Sequence, residues 1–156
     1  MIVVDLGAAP GSWSQIAAKL VQPKGRVIAL DLLPMEPLPH VEFIQGDFSE
    51  DKVLQVLLAS VPADLDWVIS DMAPNMSGNA SIDIPRSMEL AELALDFALQ
   101  TLNIQGGLLI KVLQGEGFDH LLATVKRHFK SVTLRKPKAS RGRSREVYVL
   151  ARGLKR

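Results

Sequence analysis

Short apolar runs of strand length recur along this chain, and stretches with apolar residues at helical spacing separate most of them. Met1 to Leu6 reads as a buried strand. Gly7 and Gly11 end it before Trp13, Ile16, Ala17, Leu20 and Val21 line one face of a helix. RVIALDL (Arg26 to Leu32) and VEFIQGDF (Val41 to Phe48) are two further strands, joined by a proline-containing loop from Pro34 to Pro39. DKVLQVLLASV is a helix by the same spacing rule, and DWVISDM is a fourth strand. The loop APNMSGNASIDIP leads into a long helix bearing Met88, Ala91, Leu95, Ala98 and Leu102. GGLLIKVLQG is strand five. Phe118, Leu121, Leu122, Val125 and Phe129 mark another helix, and SVTLRKP and REVYVLARG are strands six and seven.

This alternation predicts an α/β fold, a seven-stranded and mostly parallel sheet with helices on both faces. The last connection differs. Only about ten polar residues separate strands six and seven, fewer than the dozen or more that a parallel crossover takes, so the last strand is expected to run antiparallel. Ligands of open α/β sheets bind beyond the carboxyl ends of the parallel strands. An antiparallel strand starts at that edge, and here its start is Glu146.

A chain of 156 residues suits one domain over 1–156. No apolar run approaches the ~20 residues of a membrane helix, so a soluble protein is expected. With no cysteine, disulfides, zinc-thiolate sites and thiol nucleophiles are excluded. The absence of a cationic leader points to the cytoplasm. No metal site is expected, and a monomer is. The net charge of +1 conceals an asymmetry: residues 1–125 hold 6 Lys/Arg against 16 Asp/Glu, and residues 126–156 hold 12 against Glu146 alone. A solvated basic tail is the plainer reading of that segment. Because its charges are interleaved with strand-like residues, a phosphate-binding face is favoured.

In DLGAAPGSW three residues separate Gly7 from Gly11, and Pro10 lies between them. A dinucleotide fingerprint needs G-x-G-x-x-G, so this turn offers a tight bend and peptide N–H groups without a diphosphate cradle. That spacing disfavours a nicotinamide-dependent oxidoreductase. Asp31, at the end of strand two, stands where a carboxylate accepts hydrogen bonds from both hydroxyls of an adenosine ribose. Asp47 closes strand three, where it could meet an adenine amino group. Each aspartate alone reads as a strand-end cap; Asp31, Asp47 and Asp71 together on one edge point to a nucleoside ligand.

Taken together, VVDLGAAPGSWSQ, DLLPM, QGDF, SDMAPNMSG, DIPRSMELAELAL, KVLQGEGFD and RKPKASRGRSREVY resemble the FtsJ-type ribosomal RNA 2′-O-ribose methyltransferases over essentially the whole chain. The resemblance implies a Rossmann-like methyltransferase fold and S-adenosylmethionine as methyl donor. It implies a uridine ribose in large-subunit RNA as acceptor, with ribosomal RNA or the large ribosomal subunit as partner. It assigns Gly11, Trp13, Asp31, Asp47 and Asp71 to the donor pocket, with Gly7 in the same turn, and Asp71, Lys111 and Glu146 to catalysis. The family pattern also has an earlier lysine on an upstream helical segment. A shortened domain is therefore expected, with three members of a Lys-Asp-Lys-Glu set. Ser12 stands where a relative has a second glycine.

Methyl transfer to a hydroxyl is an in-line displacement, so donor and acceptor must be aligned and the hydroxyl must lose its proton. Lys111, within LLIKVL, is the candidate to orient or deprotonate the ribose hydroxyl, held by Asp71 and Glu146. The plainer reading of Lys111 is a stem packed on the sheet with its ammonium in water; that of Glu146 is a salt bridge to a nearby arginine. DMAPN resembles the Asp/Asn-Pro-Pro-aromatic loop of amino-methylating enzymes, but Asn75 occupies the aromatic position, which favours a hydroxyl acceptor over a base amine. Arg135, Lys136, Lys138, Arg141, Arg143 and Arg145 flank the site as candidate RNA-phosphate contacts. A catalytically impaired module that binds S-adenosylmethionine and RNA is the alternative. Trp67 and Tyr148 are expected in the core.

Overall fold

A computed structural model describes the chain except for residues 9–10, 22–24, 62–63, 73–76, 137–145 and 156, and the side chains at positions 12, 15, 16 and 21. Seven strands, β1 (Ile2–Leu6), β2 (Arg26–Asp31), β3 (Val41–Gln45), β4 (Leu65–Ser70), β5 (Leu102–Leu113), β6 (Phe129–Arg135) and β7 (Glu146–Leu154), form one sheet in the order β3-β2-β1-β4-β5-β7-β6. β1 to β5 pair in parallel, and β7 inserts between β5 and β6, antiparallel to both. The short β6–β7 connection therefore reverses the chain, as its length demands.

Among the described residues four helices, α1 (Ser12–Val21), α2 (Asp51–Ser60), α3 (Ala80–Thr101) and α4 (Phe118–His128), supply the cover. Leu57 of α2, Leu95 and Phe97 of α3 and Leu121 of α4 join Val4, Ile28, Val68, Ile110 and Val149 of the sheet in the main core. On the opposite face α1 lays Ala17 and Ala18 against Val3 and Val27. β1 is buried on both faces over Val3–Leu6, whereas β5 and β7 alternate between fully buried and half-exposed residues. That alternation is the period of a strand covered on one side only.

Several boundaries depart from the sequence expectation. β3 stops at Gln45, because Gly46 and Asp47 turn the chain toward α2. α3 begins at Ala80, well ahead of the loop end expected at Pro85. Its start is secured by capping: the Asn79 side chain accepts from the Ser81 N–H at 3.0 Å, and Asp83, 3% exposed, accepts from the Ser77 N–H and hydroxyl and from the Gly78 N–H. Those bonds outweigh the one intrahelical bond that Pro85 cannot donate. Leu102 and Phe129 open strands rather than closing helices. The ring of Trp13 is 36% exposed and Leu20 75%, so the small residues Ala17 and Ala18 form the buried stripe of α1. Trp67 and Tyr148 are only half-buried, and the Arg152 guanidinium lies 5.5 Å from the Trp67 ring centroid. No helix among the described residues is long and apolar enough to cross a membrane.

Candidate active site

The carboxyl ends of β1, β2, β3 and β4 meet at one edge, and the turns that leave them build a cleft. Gly7, directly after β1, has φ +74°, and its N–H and that of Ala8 both donate to the Leu30 carbonyl at 2.8 and 3.0 Å. A Cβ there would stand 2.8 Å from the Met72 backbone, so the left-handed turn and the close approach both require glycine. Gly11, with φ +117°, leads into α1 beneath Leu38 and Met35. The N–H of Asp71 donates to the Leu6 carbonyl at 3.0 Å, carrying the β1–β4 ladder to the cleft floor.

The cleft holds about 260 Å³ and is lined by Gly7, Asp31, Asp47 and Asp71 together with apolar Leu32, Leu33, Phe48 and Met72. That volume is just below the roughly 300–1,000 Å³ usual for small-molecule sites, and it suits a nucleoside whose chain extends outward. Asp31 Oδ1 accepts from the Leu33 N–H at 2.9 Å, and Asp47 Oδ1 accepts from the Ser49 N–H and hydroxyl at 2.9 and 2.6 Å. The Ser49 hydroxyl and N–H hold the Asp47 carboxyl below its ordinary pKa, so it stays an acceptor. Acceptor carboxylates beyond separate strand ends, an apolar wall between them and a glycine directly after β1 are chemically suited to the hydroxyls, amino group and flat ring of an adenosine. Neither Gly11 nor Trp13 is part of that lining: the Trp13 ring stands beside Tyr148, with centroids 6.4 Å apart and planes tilted by 57°.

One strand further along the sheet, the Lys111 ammonium stands 2.8 Å from Asp71 Oδ1, an oxygen with no other hydrogen-bond partner among the described residues. Tyr148 is directly opposite Lys111 on β7, and Glu146 is opposite Leu113. Burial works to lower the Lys111 pKa, but the hydrogen bond and charge of Asp71, aided by Glu146, outweigh it and hold the ammonium above its ordinary value. Burial, with the negative charges of Asp71 and Glu146, raises the Tyr148 pKa, so this side chain stays a neutral phenol. The group presents a cation and a phenol donor at the rim of an acidic cleft. Of the three residues expected in catalysis, Asp71 and Lys111 are in contact, and Glu146 acts on Lys111 through its charge.

Other groups at this edge escaped the sequence reading. Asp5 is fully buried in β1, with Oδ2 accepting from the Ser14 hydroxyl at 2.7 Å and Oδ1 without a hydrogen-bond partner among the described residues. Burial raises its pKa to about 6, against the Ser14 hydrogen bond and with help from the charges of Asp71 and Asp31. A carboxylate inside the apolar run IVVDL was its only signal. Tyr148 could have been found by counting two residues on from Glu146, which returns to the same strand face. Of the expected RNA contacts, Arg135 and Lys136 are exposed beside this edge, whereas Lys138, Arg141, Arg143 and Arg145 lie outside the described residues, as does Asn75. Among the described residues no cluster of three or more acidic or histidine side chains is placed to hold a metal ion.

Residues 1–154 match the family model described as FtsJ-like methyltransferase. Among solved structures, a protein of Plasmodium falciparum described as a ribosomal RNA methyltransferase is similar at 31% identity and a TM-score of 0.84, covering 98% of this chain and 86% of its own. A protein of Clostridium thermocellum described as an rRNA methylase shares the fold at 19% identity and a TM-score of 0.68, with 97% and 88% covered. So does one of Streptococcus mutans, described as a methyltransferase and solved in complex with SAH, at 18% identity and 0.60, with 97% and 85% covered.

Proposed function

The chain belongs to the FtsJ-like methyltransferase family, and from that premise we propose that it moves a methyl group from S-adenosylmethionine to the 2′-hydroxyl of a uridine ribose in large-subunit ribosomal RNA. The observation that carries this reading is the Lys111–Asp71 ion pair, 2.8 Å long, at the rim of a cleft whose other carboxylates are Asp31 and Asp47. In the proposed arrangement Asp31 receives the donor's ribose hydroxyls and Asp47 its adenine amino group, between Leu32 and Phe48. Gly7 and Gly11 keep the turn open. Trp13, in the first turn of α1 where N–H groups have no intrahelical acceptor, is proposed to offer its backbone N–H to the donor's carboxylate. The bound donor supplies an electrophilic methyl on a sulfonium centre.

Lys111 then meets the acceptor as a cation. Its ammonium orients the 2′-oxygen and stabilises the negative charge that grows there, while Asp71 and Glu146 fix its position; the hydroxyl proton passes to solvent water as the oxygen–methyl bond forms and the methyl–sulfur bond breaks. Direct deprotonation by Lys111 would first require it to shed its own proton, which the charge of Asp71 opposes. The protein is proposed to act as a cytoplasmic monomer on ribosomal RNA or the large subunit, through the basic segment 126–156.

The test is transfer of labelled methyl to undermodified large ribosomal subunits, with the product nucleotide mapped. Methylation at a ribose 2′-oxygen is expected. In Lys111→Ala the rate should fall by roughly 10²–10³-fold while SAH still binds. Normal turnover in that variant, or a methyl found on a base nitrogen, would overturn the reading. Donor binding by the unaltered chain without any transfer would select the impaired-module alternative.

A further inference from the structure

The row of residues outward from Lys111 has a composition of its own. Lys111 of β5 pairs directly with Tyr148 of β7, and Tyr148 pairs directly with Arg135 of β6. Residues directly opposite in antiparallel strands share a sheet face, with Cβ atoms about 4.5–5.5 Å apart. Lys111, Tyr148 and Arg135 therefore form one cross-strand line, ammonium, phenol and guanidinium, pointing to the same side. On that side α1 covers β1 and β2, whereas Tyr148 and Leu150 of β7 remain half-exposed and Arg152 exposed. The Trp13 ring reaches over from the first turn of α1 to stand 6.4 Å from the Tyr148 ring, and it keeps 36% of its surface open. In the strand order, the nucleoside cleft lies on the β1–β4 side of Lys111 and this aromatic pair on the β7 side.

We infer that Trp13 and Tyr148 are a stacking platform for one base of a single-stranded stretch of acceptor RNA, with Arg135 holding the adjoining phosphate. The inference rests on the proposed RNA acceptor and adds the group that places its nucleotide. An indole that keeps a third of its surface open, beside a phenol at a site flanked by cations, is the combination that binds unpaired bases and their backbone. A ribose presented to Lys111 carries its base to one side; the cleft side is taken by the donor, so the base goes toward β7. The basic character of the row, with Arg135, Lys136 and Arg152 exposed nearby, matches a polyanion better than an apolar protein segment.

The test uses the full chain, SAH and a short single-stranded oligouridine through which an abasic nucleotide is moved position by position. In the unaltered chain one abasic position should cost roughly five- to a hundredfold in affinity, the range of a single stacked base. In Trp13→Ala that positional cost should vanish, with affinity for the intact RNA lowered to the abasic level. Trp13→Phe should restore most of it, which a purely structural role of the ring would not distinguish by position. Tyr148→Leu provides the second arm and should flatten the same position. The inference is overturned if Trp13→Ala binds intact RNA as tightly as the unaltered chain. It is also overturned if affinity falls equally at every abasic position, or if SAH affinity falls in step with RNA affinity, which would place the ring on the donor side. These readouts need no turnover. Loss of 2′-O transfer by the unaltered chain therefore counts against the proposed reaction and leaves the platform to be judged by binding alone.

Discussion

Asp5 is the costliest single residue of the site. A fully buried carboxyl, one oxygen of which has no partner among the described residues, is kept only where its surroundings need it, and here it ties β1 to α1 through Ser14. Its folded-state pKa, about 6, lies above the ordinary 3.8, so the folded protein binds the proton more tightly than the unfolded chain. Stability is thus greatest below about pH 4 as far as this group is concerned, and is lost as pH rises through 6. The loss is on the order of 3 kcal/mol for a shift of about two units. Asp5→Asn keeps an acceptor for Ser14 and removes the charge. Its urea midpoint should exceed that of the unaltered chain at pH 8 and approach it at pH 5. A variant equally destabilised at both pH values would show that Asp5 is not strained by burial. The Lys111 pKa is raised as well, but by its ion pair with Asp71 working against burial, so it stays charged throughout the neutral range.

At the scale of elements, α3 shows how local bonds set a boundary that the side-chain pattern misplaces. Met88, Ala91, Leu95 and Ala98 are read correctly from spacing, and all are buried. The first turn is polar and contains Pro85, so periodicity does not reveal it; Asn79 and Asp83 do, through caps that exist only once the chain has turned. Asn79→Ala should lower stability by about 1 kcal/mol in denaturant unfolding, the usual cost of a lost N-cap. An unchanged midpoint would mean that the cap is not needed. The Asp83 carboxyl is held below its ordinary pKa, first by the Ser77 N–H, so its contribution is present at neutral pH and lost as pH falls below the usual carboxylate range. Since Asp83 anchors Ser77 and Gly78 ahead of α3, acid should loosen those two residues before it unfolds the core.

For the whole molecule, the sheet separates two chemistries: an acidic cleft at the ends of β1–β4 and, among the described residues, a basic flank of Arg135, Lys136 and Arg152 at β6 and β7. If Arg135, Lys136, Lys138, Arg141, Arg143 and Arg145 each meet a phosphate, the log–log slope of RNA affinity against salt should be roughly −4 for single-stranded RNA. A slope near −1 would restrict the contact to one or two of them. The alternation of elements, the antiparallel last strand, the acidic strand ends and the place of Lys111 in strand five were all legible in the sequence. Each follows from local composition, from spacing or from the length a connection must have. The sequence did not reveal that β7 inserts between β5 and β6, which brings Tyr148 opposite Lys111 and Arg135 beyond it. Nor did it reveal that the Trp13 ring turns away from the cleft, or that Asp5 is sealed beneath α1. Those outcomes depend on pairings between residues far apart in the chain, whose register is chosen by the packing of the sheet as a whole and leaves no periodic trace in any one segment.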